Sequence, residues 1–354
     1  MTHCVNIWVR DFYDRHAFLS MGALATFLDQ LSRFTVPAFF LLSGYGLAMQ
    51  QISTPLPLGQ FYRRRVPRIL LPFLLWSALT SYRFWGFFAE LPWKSAPLRA
   101  LGHSLDLIFL KGFDYQYYFL IVIFQFYLIF PFLYKWARHR SFLVVVLLIQ
   151  IALMSPIEAW LGLFGLALPP LYSYLLFFFL FYCVAGVHAA WNPTWVSGIV
   201  GRMTLPQIWF LWFATLGMVS AEFWVNIALL KKPLMFADHF NRWVVLAYCC
   251  ASLLLLLKYR DYLKARVHFN ARWQWYFKWV TPFSFFVYLV HTHVLRFVEL
   301  FLHGLHPVVF VLRVALVLIG SYALAWVSQR LFAPFPGLRH ALGLPREAPP
   351  TAAK

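Results

Sequence analysis

Long apolar runs, separated by short polar ones, organise this 354-residue chain. Windows rich in Leu, Phe, Val and Ile fall at residues 34–50, 69–88, 116–134, 141–157, 171–190, 206–226, 243–258, 279–298 and 307–331. An α-helix needs about 20 such residues to cross the ~30 Å hydrocarbon core of a bilayer. Lipid admits only helices or closed barrels, because every backbone N–H and C=O must be satisfied within the protein, and these runs lack the two-residue alternation of a barrel strand. The pattern predicts an all-α fold, a polytopic membrane bundle of about nine complete transmembrane helices. Ahead of the first window, "MTHCVNIWV" is as apolar as the end of a span but only about half as long. It reads as the remnant of a tenth helix, with the start of the full reading frame expected upstream. Residues 1–340 read as a single transmembrane domain, and 341–354, ending in "REAPPTAAK", as a disordered cytoplasmic tail.

Composition sharpens this picture. Hydrophobic residues make up 62% of the chain and charged residues 12%, with a mean hydropathy of +0.68, which leaves no room for a separate soluble domain. A net charge of +18 raises nucleic acid as a partner, so the placement of that charge decides the matter. Of the 30 Lys and Arg residues, 18 fall within 63–68, 135–140, 202, 258–278 and the stretch from 330 onward, accompanied by only Asp261 and Glu347. Those stretches share one side of the alternating spans, so the excess is the positive-inside signature of cytoplasmic loops, and no nucleic acid is expected. Cys4, Cys183, Cys249 and Cys250 show no metal-ligand spacing, and three of them lie in apolar runs; no metal is expected.

Polar residues inside the apolar runs are the candidates for chemistry, because an ionisable group in a membrane helix faces a bundle interior or a wet cavity. In "SFFVYLVHTHVLRF" (284–297), His291 and His293 are about 200° apart on a helix and cannot serve one site. Ser284, Tyr288 and His291 share a face, whereas His293 pairs with Arg296 toward the outer water. His291 therefore carries the functional claim, against the plainer role of a hydrogen bond that locks helices together. "RRRVPR" (63–68) gathers Arg63, Arg64, Arg65 and Arg68 around Pro67, which suits the first turn of a helix. Guanidinium groups at a helix start make a site for phosphates, and equally a contact for anionic lipid heads. Ser43 and Gly44 interrupt another run, either to let helices approach or to line a path with Tyr45. Arg33, ahead of that helix, either binds an anion or snorkels to the interface.

Four stretches in order, "VPAFFLLSGYGL" (36–47), "FYRRRVPRILLPFLLW" (61–76), "YYFLIVIFQFYLIFPFL" (117–133) and "FSFFVYLVHTHVL" (283–295), resemble the acyltransferase 3 family of membrane O-acyltransferases. The resemblance implies ten helices and transfer of an acyl group, commonly acetyl from a cytoplasmic CoA thioester, onto hydroxyls of extracytoplasmic glycans. It implies a catalytic histidine at His3, a donor-binding pair at Arg65 and Arg68, and a second match at His291. Such a transfer needs a base for the hydroxyl proton, a stabiliser for the oxyanion and a grip on the donor. Imidazole, with an ordinary pKa of about 6.5, is ready to accept that proton at neutral pH.

The expected protein is thus a multi-pass enzyme of the bacterial inner membrane that O-acylates an exopolysaccharide or cell-surface glycan. His3 and His291 are its catalytic residues; Arg64, Arg65, Arg68, Ser43, Tyr288, Ser284 and Arg33 bind substrate. Acetyl-CoA or another acyl-CoA is the donor substrate, with no bound cofactor. The expected partners are membrane lipid, a polysaccharide or glycolipid acceptor, and a polysaccharide-biosynthesis complex. Two other readings compete, a flippase for a lipid-linked glycan and an inactive scaffold of an export complex. A transporter of that kind usually carries paired broken helices in two related halves, and no such duplication is visible.

Overall fold

The computed structural model describes residues 23–80, 89, 92, 95–106, 115–154, 175–231, 242–266, 280–304 and 306–345. Every regular element among them is helical. The α-helices are α1 (Ala23–Ser32), α2 (Thr35–Ser53), α3 (Leu58–Thr80), α4 (Pro97–Asp106), α5 (Tyr118–Leu133), α6 (Arg140–Leu153), α7 (Leu180–Trp191), α8 (Pro193–Arg202), α9 (Leu205–Trp224), α10 (Trp243–Arg266), α11 (Ser284–Glu299), α12 (Pro307–Leu331) and α13 (Pro336–Leu342). Short 3₁₀ turns, among them Tyr115–Tyr117 and Thr281–Phe283, lead into α5 and α11.

Among the described residues three helices are long and apolar enough to cross a membrane: Leu205–Leu229, in which α9 runs on into a π-helical turn, Trp243–Arg260 within α10, and Pro307–Leu331. Helices α5, α6 and α7 are apolar but rise only about 24, 21 and 18 Å, short of the ~30 Å of hydrocarbon. The all-α architecture is as the pattern predicts; of the nine expected crossings, these three meet the length and composition of a span among the described residues. Windows 69–88, 141–157, 171–190 and 279–298 each extend into residues outside that set.

Around an apolar core, large apolar side chains also face outward and polar ones are buried. Phe132, Phe210, Phe213, Ile319 and Leu331 are exposed, while Thr26, Gln30, Ser77, Gln116, Gln150 and Ser321 are fully buried. Apolar surface outside and polar groups inside is the arrangement lipid favours, since tails are as apolar as Leu and only the interior supplies hydrogen-bond partners.

Local sequence sets where helices begin. Thr204 opens α9 with a capping box, its backbone N–H donating to Gln207 Oε1 at 2.9 Å, and Pro206 follows in the first turn. His306 precedes Pro307 at the start of α12, its Nδ1 accepting from the Val308 N–H at 3.2 Å. Helix α13 closes on Gly343 at φ +80°, with the Leu344 N–H bonded to the Arg339 carbonyl at 2.9 Å and the Gly343 N–H to that of His340 at 3.1 Å. A Cβ there would lie 2.8 Å from the movable Cδ1 of Leu289, so it is the positive φ that calls for glycine.

The chain falls into two compact units, one of Met1–Leu56 and Leu128–Val267, the other of Pro57–Tyr127 and His268–Lys354. In the first, α2 packs on α7 and α9 on α10. Glycines make the α2–α7 approach possible: a Cβ on Gly44 would overlap the Cys183 carbonyl, and one on Gly186 the Leu41 carbonyl. In the second unit α11 packs on α12, and α13 lies against α3. Leu342 and Leu344 are buried there, so the packed chain runs past the boundary at 341 expected for the tail.

Candidate functional site

The second unit holds most of the predicted site residues. Helix α3 begins at Leu58, nine residues before Pro67, so both Pro67 and Pro72 lie inside it. This corrects the expectation that Pro67 opens a helix whose free N–H groups face the cytoplasm; any anion site there rests on the guanidinium groups themselves. Arg63, Arg64 and Arg68 are exposed, and Arg65 is half-buried with its Cζ 6.0 Å from the centroid of the Tyr127 ring. Phe61 meets the same ring edge-on at 6.4 Å, which fixes the aromatic platform beneath that cation.

Above the arginines lies a polar cluster on α3, α11 and the 3₁₀ turn Tyr115–Tyr117. Tyr288 donates its hydroxyl to the Gln116 carbonyl and packs against Phe119 at 5.3 Å. His291 Nδ1 lies 2.7 Å from the Tyr288 carbonyl. A carbonyl only accepts, so Nδ1 carries the proton in neutral imidazole and Nε2 carries the lone pair. Ser284 departs from the expected stripe: it is exposed and donates to the Thr281 carbonyl at 2.8 Å, closing its own turn.

His293 also departs from expectation. Rather than turning to the outer water with Arg296, its Nε2 meets the Tyr117 hydroxyl at 3.3 Å, and its ring stacks on Trp76 at 6.1 Å and 11°. Trp76 in turn donates its indole N–H to the Leu342 carbonyl at 3.1 Å, tying α3 to α13. Helical rise orders these groups by depth: Trp76 is about 12 Å along α3 from Arg68, and His291 about 10 Å along α11 from Ser284. On α3 the cluster therefore sits about two helical turns beyond the arginines.

The first unit holds Arg33 and Ser43. Arg33 is 2% exposed and does not snorkel: its Nε donates to Asp29 Oδ2 at 3.2 Å and its Nη2 to the same oxygen. Gln30 Nε2 donates to Asp29 at 2.9 Å, and Gln30 Oε1 accepts from Arg242 at 3.2 Å. Arg242 completes the network with Glu222 at 2.8 Å, on the last turn of α9. Tyr248 adds a bond to the Leu31 carbonyl at 2.9 Å. Ser43 is half-buried beside the close-packed Gly44. His3 lies outside the described residues.

Sequence reasoning passed over Asp29, Gln30, Glu222 and Arg242, along with Gln116 and Arg313. One signal was present: Asp29 and Arg33 are four residues apart, the spacing of a helical ion pair. Arg313 is buried in the second unit, donating to the Leu302 carbonyl at 3.1 Å. Nothing local announced Gln116, a polar residue at the edge of an apolar run.

A family model described as an acyltransferase domain matches residues 1–329 of the chain. No curated protein matches, and no solved structure does.

Proposed function

The chain belongs to the acyltransferase 3 family and is a membrane acyltransferase, and from that premise we propose that it carries acetyl from acetyl-CoA to a hydroxyl of an exopolysaccharide or cell-surface glycan. Its place is the bacterial inner membrane, with Arg64, Arg65 and Arg68 at the cytoplasmic level gripping the phosphates of the donor. Forked guanidinium groups suit phosphate oxygens, and the Tyr127 ring holds Arg65 ready for them. The acceptor hydroxyl gives its proton to imidazole as its oxygen attacks the thioester carbonyl; the tetrahedral intermediate then expels the CoA sulfur, which takes the proton back. One C–O bond forms, one C–S bond breaks, and ester and free CoA result.

His3 is the base by resemblance to the family. His291 is the second imidazole, and its Nδ1 bond to the Tyr288 carbonyl supports the role by leaving the Nε2 lone pair as the accepting side. Arg33 is left out of the chemistry, since its guanidinium is committed to Asp29. The single observation that carries the reading is the family match over residues 1–329. Membranes containing the protein, incubated with radiolabelled acetyl-CoA, are expected to label glycan, and His291→Ala to lower the rate by about 10²–10⁴-fold. Wild-type labelling by an equally abundant His291→Ala variant overturns the role given to His291.

A further inference from the structure

Among the buried side chains of the second unit that keep polar atoms without a partner in the described structure, three lie on the elements around Tyr117 and Tyr288: Gln116 at both Nε2 and Oε1, Ser77 at Oγ and Thr292 at Oγ1. All three are fully buried. A buried donor or acceptor left unmade forfeits its hydration, whereas an apolar residue of the same shape would not. Leu at 116 or Val at 292 would fill similar space without that cost. A buried water or a bound ligand can answer such atoms.

The elements that carry them are joined to one another. The Gln116 carbonyl receives the Tyr288 hydroxyl, and Thr292 is one helical turn beyond Tyr288 on the same face of α11. Tyr117 meets Phe73 edge-on at 5.7 Å, and Ser77 is one turn beyond Phe73 on the same face of α3. The Tyr117 hydroxyl, His293 and Trp76 join these walls to one another. Thr292 directly follows His291 in the chain, so it is level with the imidazole proposed to act in transfer.

The chemistry of the carboxamide selects its ligand. Nε2 offers two donors and Oε1 an acceptor, side by side. Two adjacent hydroxyls match both ends, one accepting from Nε2 while the other donates to Oε1. A trans secondary amide, such as those of the pantetheine arm, presents its N–H and C=O on opposite edges and answers only one end. An acyl chain answers neither.

We infer that Gln116, with Ser77 and Thr292, forms a subsite for a pair of adjacent sugar hydroxyls, placing the acceptor beside His291. That the bound sugar is the acceptor rests on the transferase reading above. The test uses the full chain in lipid nanodiscs, with methyl mannoside, methyl galactoside and methyl glucoside as probes in ligand-observed NMR. At least one probe is expected to bind, and Gln116→Leu to weaken it by tenfold or more while leaving CoA affinity unchanged. Because the substitution removes unanswered polar atoms, it should also raise the melting temperature, by about 2–4 °C. Thr292→Val is expected to weaken the same probe without loss of stability. Equal binding by wild type and Gln116→Leu, binding of no probe by the wild type, or a lowered melting temperature for Gln116→Leu overturns the subsite; the last result would make the carboxamide a packing group. Gln116-dependent sugar binding in membranes that never label glycan would instead sink the transferase reading and leave the sugar site standing.

Discussion

Replacing Asp29 by leucine tests whether the buried charge network is structural. Asp29 is 0% and Arg33 2% exposed, so water neither screens the pair nor rescues the arginine once its partner is gone. Breaking a buried ion pair by removing one member costs about 3–5 kcal/mol, because the remaining charge keeps its desolvation penalty. At roughly 2–4 °C per kcal/mol, that corresponds to a fall in melting temperature of about 6–20 °C. The fraction of monodisperse protein surviving heating in detergent, read by size exclusion, gives the shift. The double variant Asp29→Leu with Arg33→Met removes both charges and is expected to recover most of the loss, since an apolar pair of similar volume is often no worse than the ions. Glu222→Gln supplies the contrast: Glu222 is 27% exposed, so its bond to Arg242 is partly screened and worth about 0–1 kcal/mol. The reasoning fails if Asp29→Leu melts within about 2 °C of wild type, or if the double variant is no more stable than the single one.

Gly186→Ala puts a methyl into the Leu41 carbonyl and is expected to cost about 1–3 kcal/mol or more, whereas Gly46→Ala, with nothing within 4 Å of the new Cβ, should be neutral or slightly stabilising in the same heating assay. Arg65→Lys keeps the charge but loses the planar fork over Tyr127, so KM for acetyl-CoA should rise about tenfold with kcat little changed; an unchanged KM would remove Arg65 from the donor site. Methyl glycosides that bind at Gln116 should compete with labelling of the glycan acceptor without affecting CoA binding, and competition against CoA would place the subsite on the donor side.

The run lengths made the all-α class legible, since a bilayer leaves few other choices. Individual helices were less so. Pro67 reads as a helix start, yet α3 begins at Leu58 and absorbs two prolines, because Pro disfavours but does not forbid an interior position when neighbours satisfy the freed carbonyls. Gly44 was legible as a place of close approach; its counterpart Gly186 was not, since pairing α2 with α7 requires the tertiary structure. The opposite facing of His291 and His293 followed from helical geometry, but the direction of each did not. His293 reads as a water-facing residue beside Arg296, and only the fold supplies Trp76 and Tyr117 as its partners.

That failure has a physical cause. In water, burial of apolar surface decides which face of a helix turns inward, and the periodicity of the sequence records the decision. In lipid both faces can be apolar, so the hydrophobic pattern locates helices without orienting them. Orientation then falls to sparse polar bonds, and here these join distant parts of the chain: Tyr288 with Gln116 across 172 positions, His293 with Tyr117 across 176, Arg242 with Gln30 across 212, and Trp76 with Leu342 across 266. Each partner taken alone is one polar residue in or beside an apolar run, which carries little information. Gln116 shows the same principle at the site itself. Its backbone carbonyl helps orient α11 through Tyr288, while its carboxamide is left over from the folding problem, and a group that folding does not use is where an acceptor is best sought.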